Sequence, residues 1–459
     1  MQKMRLFIYC SLIIFCAGCA NELDQLPETS ILANNYYTTE ENVETTVTAA
    51  YSELQSLYNT YMILLGELPS DNTYVQAPNS NGGSRSLEDF TWTSTTGFTT
   101  SIWENSYESI FYANTVLDVI NDIDYESETI KSRRIGEMKF IRGFLYNNLT
   151  TIYGEVPLVL EPYDDPSYAF EDTRTPMENI NIQIEKDLLE SIELLPTTNS
   201  AGRANQYAAR AILAKFYMKN QNFVDAEIQL EKIISSYRFD LVAIGELYGV
   251  EHEGNIEDVF SIQFASDLDG KSEGNSFYYN FTLPDNNGGL GSMAMESAMY
   301  DAYEINDLRK NFINDTGGAY YINKWTPSPS TDNGDGGDNH YVVRYADVLL
   351  LYAECLNEND DTPLAAVYLN KVRNRAGLND TDASTKSAMR DAIALERKFE
   401  LVGEGHRWFD LLRTNKAIET MNAFFASEGR DITVESYRLL APIPQTEIDI
   451  TEMIQNPKY

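Results

Sequence analysis

Apolar residues recur at helical spacing along most of the chain. Between residues 133 and 153 they follow one another at steps of three or four, which places them on one face of a helix. This apolar face consists of Met138, Ile141, Leu145, Leu149 and Ile152. Gly154 ends the predicted helix, and residues 156–160 leave it in an extended conformation. Similar patterns predict further helices over residues 39–57, 102–120, 176–195, 385–403 and 406–420.

Two stretches have the pattern of paired helices. In residues 204–236, small and large apolar residues alternate on both sides of a turn at 220–222, and residues 345–375 repeat this around a turn at 357–362. Such pairs resemble tetratricopeptide repeats, which stack because neither helix can bury its apolar stripe alone. Generic antiparallel helices are the alternative, because the spacing is irregular. The predicted fold class is mainly α, with tetratricopeptide-like pairs as a scaffold.

The region between the pairs, residues 238–341, lacks helical periodicity. It contains turn-forming Gly, Asn and Asp residues and many aromatic residues. Because a structureless loop of this length is unusual inside a compact domain, we interpret it as an irregular subdomain on the helical scaffold. The predicted single domain, 19–459, then has four parts: a tether (19–35), an N-terminal helical part (36–237), the loop-rich subdomain (238–341) and a C-terminal helical part (342–459).

Residues 1–18 have the features of a bacterial lipoprotein signal peptide. Lys3 and Arg5 precede an apolar run of about ten residues, which is too short to span a bilayer. Two small residues come directly before Cys19, so we expect Cys19 to become the lipidated first residue of the mature chain. Cys16 departs from the pattern, since Leu is usual there, and an ordinary secretory signal is the alternative. Lipidation would anchor the protein to a membrane without spanning it.

The charge of the chain excludes several classes of partner. The 459 residues carry a formal net charge of −36, and removal of the signal leaves 32 basic and 70 acidic residues, a net charge of −38. Nucleic-acid binding and adsorption to anionic lipid both need a basic surface, so neither is expected. Of the four cysteines only Cys19 and Cys355 remain after processing, and a lipidated Cys19 leaves no disulfide to form.

Carboxylates line up in the segment 396–413. Glu396, Glu400 and Glu404 lie at positions i, i+4 and i+8, on one helix face. A glycosidase pair must instead flank the scissile bond from two sides. We therefore interpret these residues as a structural charge network that docks the last helices. Its nearby partners in sequence are Arg397, Arg407 and Arg413.

Other catalytic and metal-binding motifs are missing from the sequence. The three histidines are far apart and lack zinc-binding spacing, and neither a GxSxG elbow nor a phosphate-binding GxxxxGK[ST] loop occurs. The acidic segment 332–338 fails the EF-hand spacing, because Gly334 and Gly336 fall where oxygen ligands are needed. We interpret it as a flexible turn, and we expect no catalytic residue, no metal and no cofactor.

Aromatic residues in loops are the candidates for ligand binding. A flat ring can cover the C–H face of a sugar, while Asn and Asp hydrogen-bond its hydroxyl groups. Regions 71–92 and 277–325 both qualify, and the alternative is that their rings fill a loop-rich core. Trp92 and Trp325 are the strongest candidates. The full candidate set is Asp71, Asn72, Tyr74, Trp92, Tyr278, Tyr320, Tyr321 and Trp325.

Five segments occur in an order that is typical of one protein family. They are EMKFIRGFLY (137–146) with GEVPL (154–158), RYADVLLLYAE (344–354), LNKVRNRAG (369–377), ERKFEL with EGHRWFDLLR (396–413), and the closing PIP (442–444) with NPKY (456–459). Together with the signal peptide, they resemble the SusD/RagB family of outer-membrane lipoproteins of Bacteroidota. The resemblance covers nearly the whole chain.

The resemblance implies a helical fold with tetratricopeptide-like pairs and a variable loop-rich region. It also implies a non-catalytic protein, lipid-anchored at the outer membrane and facing the cell exterior. Such a protein captures oligo- or polysaccharide and delivers it to a SusC-type TonB-dependent transporter. Ligand residues of the family lie in variable loops, so the resemblance assigns none here. The alternatives are a surface carbohydrate-active enzyme and a protein-interaction scaffold without sugar affinity.

Overall fold

The computed structural model describes residues 36–76, 82–163, 165–266, 273–284, 289–327 and 334–459. The predicted signal peptide, Cys19 and the tether up to residue 35 lie outside these ranges. Helices dominate the described residues, and the predicted mainly helical fold class is confirmed. Within the same ranges, no helix combines the length and the apolar character needed to cross a bilayer.

The N-terminal helices pack around a common core. They are α1 (Glu40–Tyr58), α2 (Tyr61–Glu67), α3 (Gly82–Glu88), α4 (Gly97–Val119), α5 (Glu128–Tyr153) and α6 (Met177–Leu194). α5 begins at residue 128 rather than at the predicted 133, because the Ser127 side chain caps it by accepting the Ile130 N–H. Gly154, at φ 77°, ends α5 as predicted. Apolar residues of α1, α4, α5 and α6 then bury one another in the main core.

The first predicted helix pair consists of α7 (Gln206–Lys219) and α8 (Phe223–Ile234). The side chains of Asn205 and Asn222 accept backbone N–H groups at the start of each helix. Between the helices, Gln221 adopts a left-handed conformation at φ 59°, which makes the turn.

The loop-rich region consists of short elements in its described part. They are β2 (Asp258–Ile262), α9 (Phe277–Phe281), β3 (Met293–Met295), α10 (Ser297–Ala302), β4 (Ile313–Asp315), β5 (Tyr320–Ile322) and β6 (His340–Arg344). An early strand, β1 (Thr73–Val75), joins them in an antiparallel sheet of order β1-β3-β5-β4. β2 pairs with β6 in a separate two-stranded sheet. The loop-rich region is thus hydrogen-bonded to the N-terminal helical part.

The C-terminal part returns to helices. They are α11 (Tyr345–Glu358), α12 (Thr362–Arg375), α13 (Lys386–Glu400), α14 (Arg407–Arg413), α15 (Ala417–Ser427) and α16 (Gln445–Ile450). The prediction of one helix over 406–420 is wrong. Asn415, at φ 56°, ends α14, and the Lys416 N–H closes the turn by donating to the Leu411 carbonyl. A left-handed residue cannot continue an α-helix, so two short helices form.

The second helix pair repeats the turn of the first. Asp360, at φ 69°, takes the place of Gln221, and Asp361 caps α12 as Asn222 caps α8. α8 packs against α11, so the two pairs are neighbours in space although they are more than 100 residues apart in sequence. The predicted tetratricopeptide-like arrangement is confirmed.

An early helix and a late loop meet at two glycines. A Cβ atom on Gly66 of α2 would lie only 2.0 Å from the carbonyl oxygen of Gly405. The Gly405 N–H donates to the neighbouring carboxylate of Glu67 at 3.0 Å. This contact has no room for a side chain on residue 66 and joins segments that are 339 positions apart.

Candidate functional site

The aligned carboxylates of α13 lie in a buried ion cluster and not in a cleft. Glu396 accepts from Arg309 at 2.7 Å, and Glu400 accepts from Arg344 at 2.5 Å and also from Arg375. All members are 7% exposed or less in their side chains. The cluster comprises Glu257, Asp307, Arg309, Lys324, Arg344, Arg375, Glu396, Glu400 and Glu404. The interpretation as a structural charge network is confirmed by these contacts, but the predicted partners are wrong. Arg397, Arg407 and Arg413 pair instead with carboxylates outside the cluster: Asp71, Asp347, Glu354 and Asp410.

Cationic side chains hold Glu400 and Glu404 in their charged form, whereas burial raises the pKa of Glu396 above its usual value. Burial would raise the pKa of Glu400, but the guanidiniums of Arg375, Arg344 and Arg309 outweigh it and keep the pKa well below its usual range. Burial would also raise the pKa of Glu404, but Arg344 and Lys324 outweigh it and keep this pKa well below its usual range. Carboxylates held as anions cannot donate a proton at neutral pH, which general acid catalysis of glycoside hydrolysis needs.

Two predicted ligand residues, Asp71 and Asn72, make structural contacts. Asp71 accepts from Arg407 Nε at 2.7 Å and from Lys398 Nζ at 2.6 Å. Asn72 is 1% exposed and donates to Glu67. The prediction that Asn72 contacts a ligand is therefore wrong, and the carboxylate of Asp71 already has two cationic partners. Together the two residues fasten the loop after α2 to the C-terminal part.

Trp92 is a core residue. It is 2% exposed, and its ring centroid lies 5.1 Å from that of Phe90, which in turn packs on Trp408. Its indole N–H donates to the Tyr459 hydroxyl at 2.6 Å. The prediction that Trp92 offers a surface platform is wrong, because distant segments cover a ring that has only polar neighbours in sequence. The alternative, that rings of this region fill a core, is correct here.

Tyr74 and Tyr321 come together on the outer face of the four-stranded sheet. The strand register places Tyr74 opposite Ala294, and the pairing of Met295 with Tyr320 puts Tyr321 on the other side of Ala294. These side chains belong to a small apolar cluster separate from the main core: Tyr74, Leu283, Ala294, Ala319 and Tyr321. We call this cluster the tyrosine face.

The two tyrosines of this face are not equally accessible. Tyr74 is half-buried, whereas Tyr321 is 4% exposed. Gly291 contributes to this burial, since a Cβ there would lie 2.6 Å from the Tyr321 ring, and only glycine allows so close an approach at φ 63°. Burial and then the neighbouring Tyr321 raise the pKa of Tyr74. Tyr321 thus forms a floor beside the accessible ring of Tyr74.

The remaining predicted tyrosines lie elsewhere. Tyr320 points to the opposite side of the sheet and stacks on Tyr300, with 3.9 Å between ring centroids and 13° between ring planes. Tyr278, in α9, is 6% exposed. The structure therefore brings together Tyr74 and Tyr321, but neither Tyr278 nor Tyr320 belongs to the tyrosine face.

Trp325, the other strong candidate, is half-buried at a narrow polar cleft. Its ring packs on Phe281 with 5.0 Å between centroids, and the cleft beside it has a volume of about 30 Å³. Four carboxylates that no sequence pattern groups together also line this cleft: Glu253, Asp258, Asp338 and Glu404. A cavity of this size holds about two water molecules and not a sugar ring.

Burial changes the acidity of the cleft. It raises the pKa of Glu253 to about 7, with Asp338 and Asp258 adding to the shift, and it raises the pKa of Asp258 and of Asp338 to about 6. Asp338 accepts from both the backbone N–H and the hydroxyl of Thr326. Among the described residues, no group of three or more His, Cys, Asp or Glu side chains is arranged to hold a metal ion.

The acidic segment 332–338 is only partly described, since residues 332 and 333 lie outside the described ranges. In residues 334–338 the chain is anchored: Gly336 and Asn275 exchange backbone hydrogen bonds, and Asp335 and Asp338 are buried. The expectation of a flexible turn is wrong for this part, because backbone pairing and burial hold it in place.

Two family models match separate parts of the chain. One, described as the SusD family, matches residues 307–459. The other, described as starch-binding associating with outer membrane, matches residues 23–218. Between them the models cover roughly three quarters of the sequence.

Individual proteins are similar over nearly the full length. A SusD-like protein P25 of Formosa agariphila is 25% identical, over 99% of this chain and 98% of its own. A laminarin binding SusD-like protein of known structure is 27% identical, with a TM-score of 0.80 over 92% of this chain and 100% of its own. Surface glycan-binding protein A from Bacteroides thetaiotaomicron, in complex with laminarihexaose, is 22% identical, with a TM-score of 0.78 over 91% of this chain and 100% of its own. These matches and the helical fold show that the chain belongs to the SusD/RagB family.

Proposed function

We propose that this protein is a cell-surface glycan-binding lipoprotein without catalytic activity. It captures oligo- or polysaccharide and delivers it to a SusC-type TonB-dependent transporter in the outer membrane. Lipidated Cys19 anchors the protein, which faces the cell exterior. The tyrosine face is the observation that carries the proposal.

The tyrosine face has the composition that a sugar ring needs. The cluster is separate from the main core, and its member Tyr74 is only half-buried. The accessible part of the Tyr74 ring offers a flat apolar surface, and the strand register places the small side chain of Ala294 between Tyr74 and Tyr321. The Tyr74 hydroxyl can donate and accept a hydrogen bond at the edge of the sugar. Stacking on one such ring contributes on the order of 1 kcal/mol beyond the apolar area that it covers.

Related proteins suggest where to look for the glycan. One relative of known structure is described as laminarin binding and another was solved with laminarihexaose. Both share the fold of this chain over more than nine tenths of its length. Laminarin and its oligosaccharides are therefore the first ligands to test, ahead of a wider panel of neutral polysaccharides.

Calorimetric titration with laminarihexaose and the wider panel tests the proposal. We expect at least one glycan to bind, and we expect Tyr74→Ala to weaken that binding between about fivefold and a hundredfold, because the exposed ring face is lost. Tyr237→Ala is the matched control, since Tyr237 is 90% exposed and outside the tyrosine face. Failure of the folded protein to bind any glycan would refute capture, and equal affinity in the Tyr74 variant would refute the assigned face.

The anchor and the transporter need separate tests. Metabolic labelling with a palmitate analogue should label the wild-type protein but not Cys19→Ala. A tagged wild-type protein should co-purify with a TonB-dependent transporter from detergent-solubilised outer membranes. Labelling of the Cys19 variant, or purification without the transporter, would contradict the respective part of the proposal.

A further inference from the structure

A second concave surface lies between α4 and the C-terminal segment, away from the tyrosine face. It is a groove of about 250 Å³, larger than the cleft at Trp325. One wall is α4, a second is the extended segment 157–163 with the short helix Pro166–Glu171, and the third is α16 with the residue Met453 that follows it. We call this cavity the α4 groove.

Aromatic rings form the walls of the α4 groove. At its base Trp103 is 3% exposed, and its centroid lies 4.9 Å from that of Tyr107. At its rim Phe111 and Phe170 are each 52% exposed, although both are large apolar side chains. Exposed phenylalanines around a cavity with an aromatic base are unusual on a soluble surface, and they indicate a ligand that covers them.

The charged side chains that line the α4 groove are all negative. Its carboxylates are Glu104, Glu161, Asp172 and Glu447. None of the described residues that line it is Lys, Arg or His. Glu104 and Glu161 are exposed, whereas Asp172 and Glu447 are half-buried. None of the four forms an ion pair with a described residue, in contrast to the carboxylates of the buried ion cluster.

The contacts of two carboxylates show how they are held. The Tyr163 hydroxyl lies 2.6 Å from both oxygens of Asp172 and donates to this carboxylate. The Trp103 indole lies near Glu447 and favours the charged form of that carboxyl. Burial raises the pKa of both carboxyl groups, and Glu104 and Asp172 raise that of Glu447 further. The two carboxylates are partly desolvated, and their partners are neutral donors and not cations. A bound cation would stabilise their charged form.

Two arginines on neighbouring elements are already occupied. Arg142 pairs with Asp187 at 2.8 Å and donates to the side chain of Asn114. Arg174 donates to the carbonyls of Glu155 and Ile454 and to Asn456. Neither arginine forms an ion pair with a carboxylate of the α4 groove, so a matching cation has to come from a ligand.

We propose that the α4 groove binds an organic cation, in which an ammonium group is attached to a sugar ring or to a small aliphatic group. Rings attract a cation through their negative faces, and the attraction grows when water is excluded. The carboxylates beside the rings can accept a charge-assisted hydrogen bond from an ammonium N–H. They can also lie close to a quaternary nitrogen and attract its charge. A neutral sugar would gain the apolar contact but leave the four carboxylates unmatched, and an anion would be repelled.

Titration with four small probes tests the charge requirement. Choline and D-glucosamine carry the cation on an aliphatic and on a sugar body, and D-glucose and N-acetyl-D-glucosamine are uncharged. We expect one or both cations to bind, with an affinity at least tenfold higher than that of either neutral sugar. Comparison of choline with D-glucosamine shows whether the α4 groove prefers the ammonium group on an aliphatic chain or on a sugar ring. No binding of either cation up to about 50 mM, or equal binding of D-glucose, would overturn the proposal.

Substitutions then locate the binding. Glu447→Gln keeps the shape but removes a charge, and Phe170→Ala removes an exposed ring without opening the core. Each should weaken cation binding at least fivefold. Glu419→Gln and Tyr237→Ala are matched controls on exposed positions outside the α4 groove. Unchanged cation affinity in both α4-groove variants would overturn the assignment. Tyr74→Ala should leave cation binding intact, so this result is independent of glycan capture.

Discussion

The buried ion cluster and the tyrosine face use polar side chains in opposite ways. In the cluster, Arg344 contacts three carboxylates at 2.5–2.9 Å and is 1% exposed. On the tyrosine face, Tyr74 keeps part of its ring accessible and lies outside the main core. The comparison teaches that aligned charged residues in this chain can serve architecture, and we propose binding only for the accessible ring that lies apart from the core. Substitutions should therefore separate stability from affinity.

The largest effect should come from Arg344. Arg344→Ala leaves the carboxylates of Glu257, Glu400 and Glu404 buried with fewer partners, so we expect a loss of roughly 3–5 kcal/mol in the free energy of unfolding. Urea unfolding followed by circular dichroism measures it. Arg390→Ala is the matched control: Arg390 pairs with Glu358 but is 50% exposed, so its loss should cost less than about 1 kcal/mol. Similar costs for the two variants would contradict the cluster's structural role.

A second large effect should distinguish Trp92 from Tyr74, although the sequence predicts both as ligand-binding residues. Trp92→Ala removes a core ring and its hydrogen bond to Tyr459, so we expect a loss of about 3–4 kcal/mol in stability. Glycan affinity at a temperature where the variant stays folded should not change. Tyr74→Ala should give the reverse result. If Trp92→Ala abolished binding while its unfolding midpoint stayed at the wild-type value, the division drawn here would be wrong.

A smaller effect should appear as a pH dependence at Glu67. Burial raises the pKa of this carboxyl to about 7, against the favourable hydrogen bonds from Asn72 and Gly405. Between pH 4.5 and 7 the folded state therefore holds a proton that the unfolded state has lost. Stability from this group is greatest below pH 4.5, falls as pH rises to 7, and is constant above that. The fall amounts to about 3 kcal/mol.

Glu67→Gln tests this linkage. Glutamine carries no titrating group, and the Asn72 side chain, whose Oδ1 has no hydrogen-bond partner, can turn to accept from it. Urea unfolding at pH 5 and pH 8 should show a smaller difference in the variant than in the wild type. Other carboxyls with a raised pKa, such as Glu253 and Glu296, contribute to both proteins, so the comparison between proteins isolates Glu67. An identical pH dependence would contradict a raised pKa.

Local patterns predicted the helices because their causes are local. The apolar face of α5, the stop at Gly154 and both helix-pair turns depend on residues within a few positions of one another. The break at Asn415 was missed, because asparagine is also tolerated inside a helix and only its left-handed conformation ends α14. The sequence therefore predicts the fold class well, but it predicts the ends of single helices less accurately.

The candidate site was harder to predict because its contacts are distant. Trp92 lies among Thr and Ser, like a loop residue, but its hydrogen-bond partner Tyr459 is 367 positions away. Tyr74 and Tyr321 meet only because β1 crosses to β3 in the loop-rich region. The aromatic content of the sequence predicts that some rings contact a ligand. Strand register and the segments that cover the rings determine which rings stay accessible. The α4 groove combines rings and carboxylates from three segments that no single motif joins.

The meeting of Gly66 with Gly405 has a consequence for how the protein is made. During synthesis from the amino end, α2 emerges early, but the backbone it fits against is added 339 residues later. Until then its apolar residues, among them Ile63 and Leu64, lack their final cover. Contacts at such separation close slowly and leave partly folded chains open to aggregation. The nascent protein should therefore depend on a holding chaperone until its last quarter has been translated.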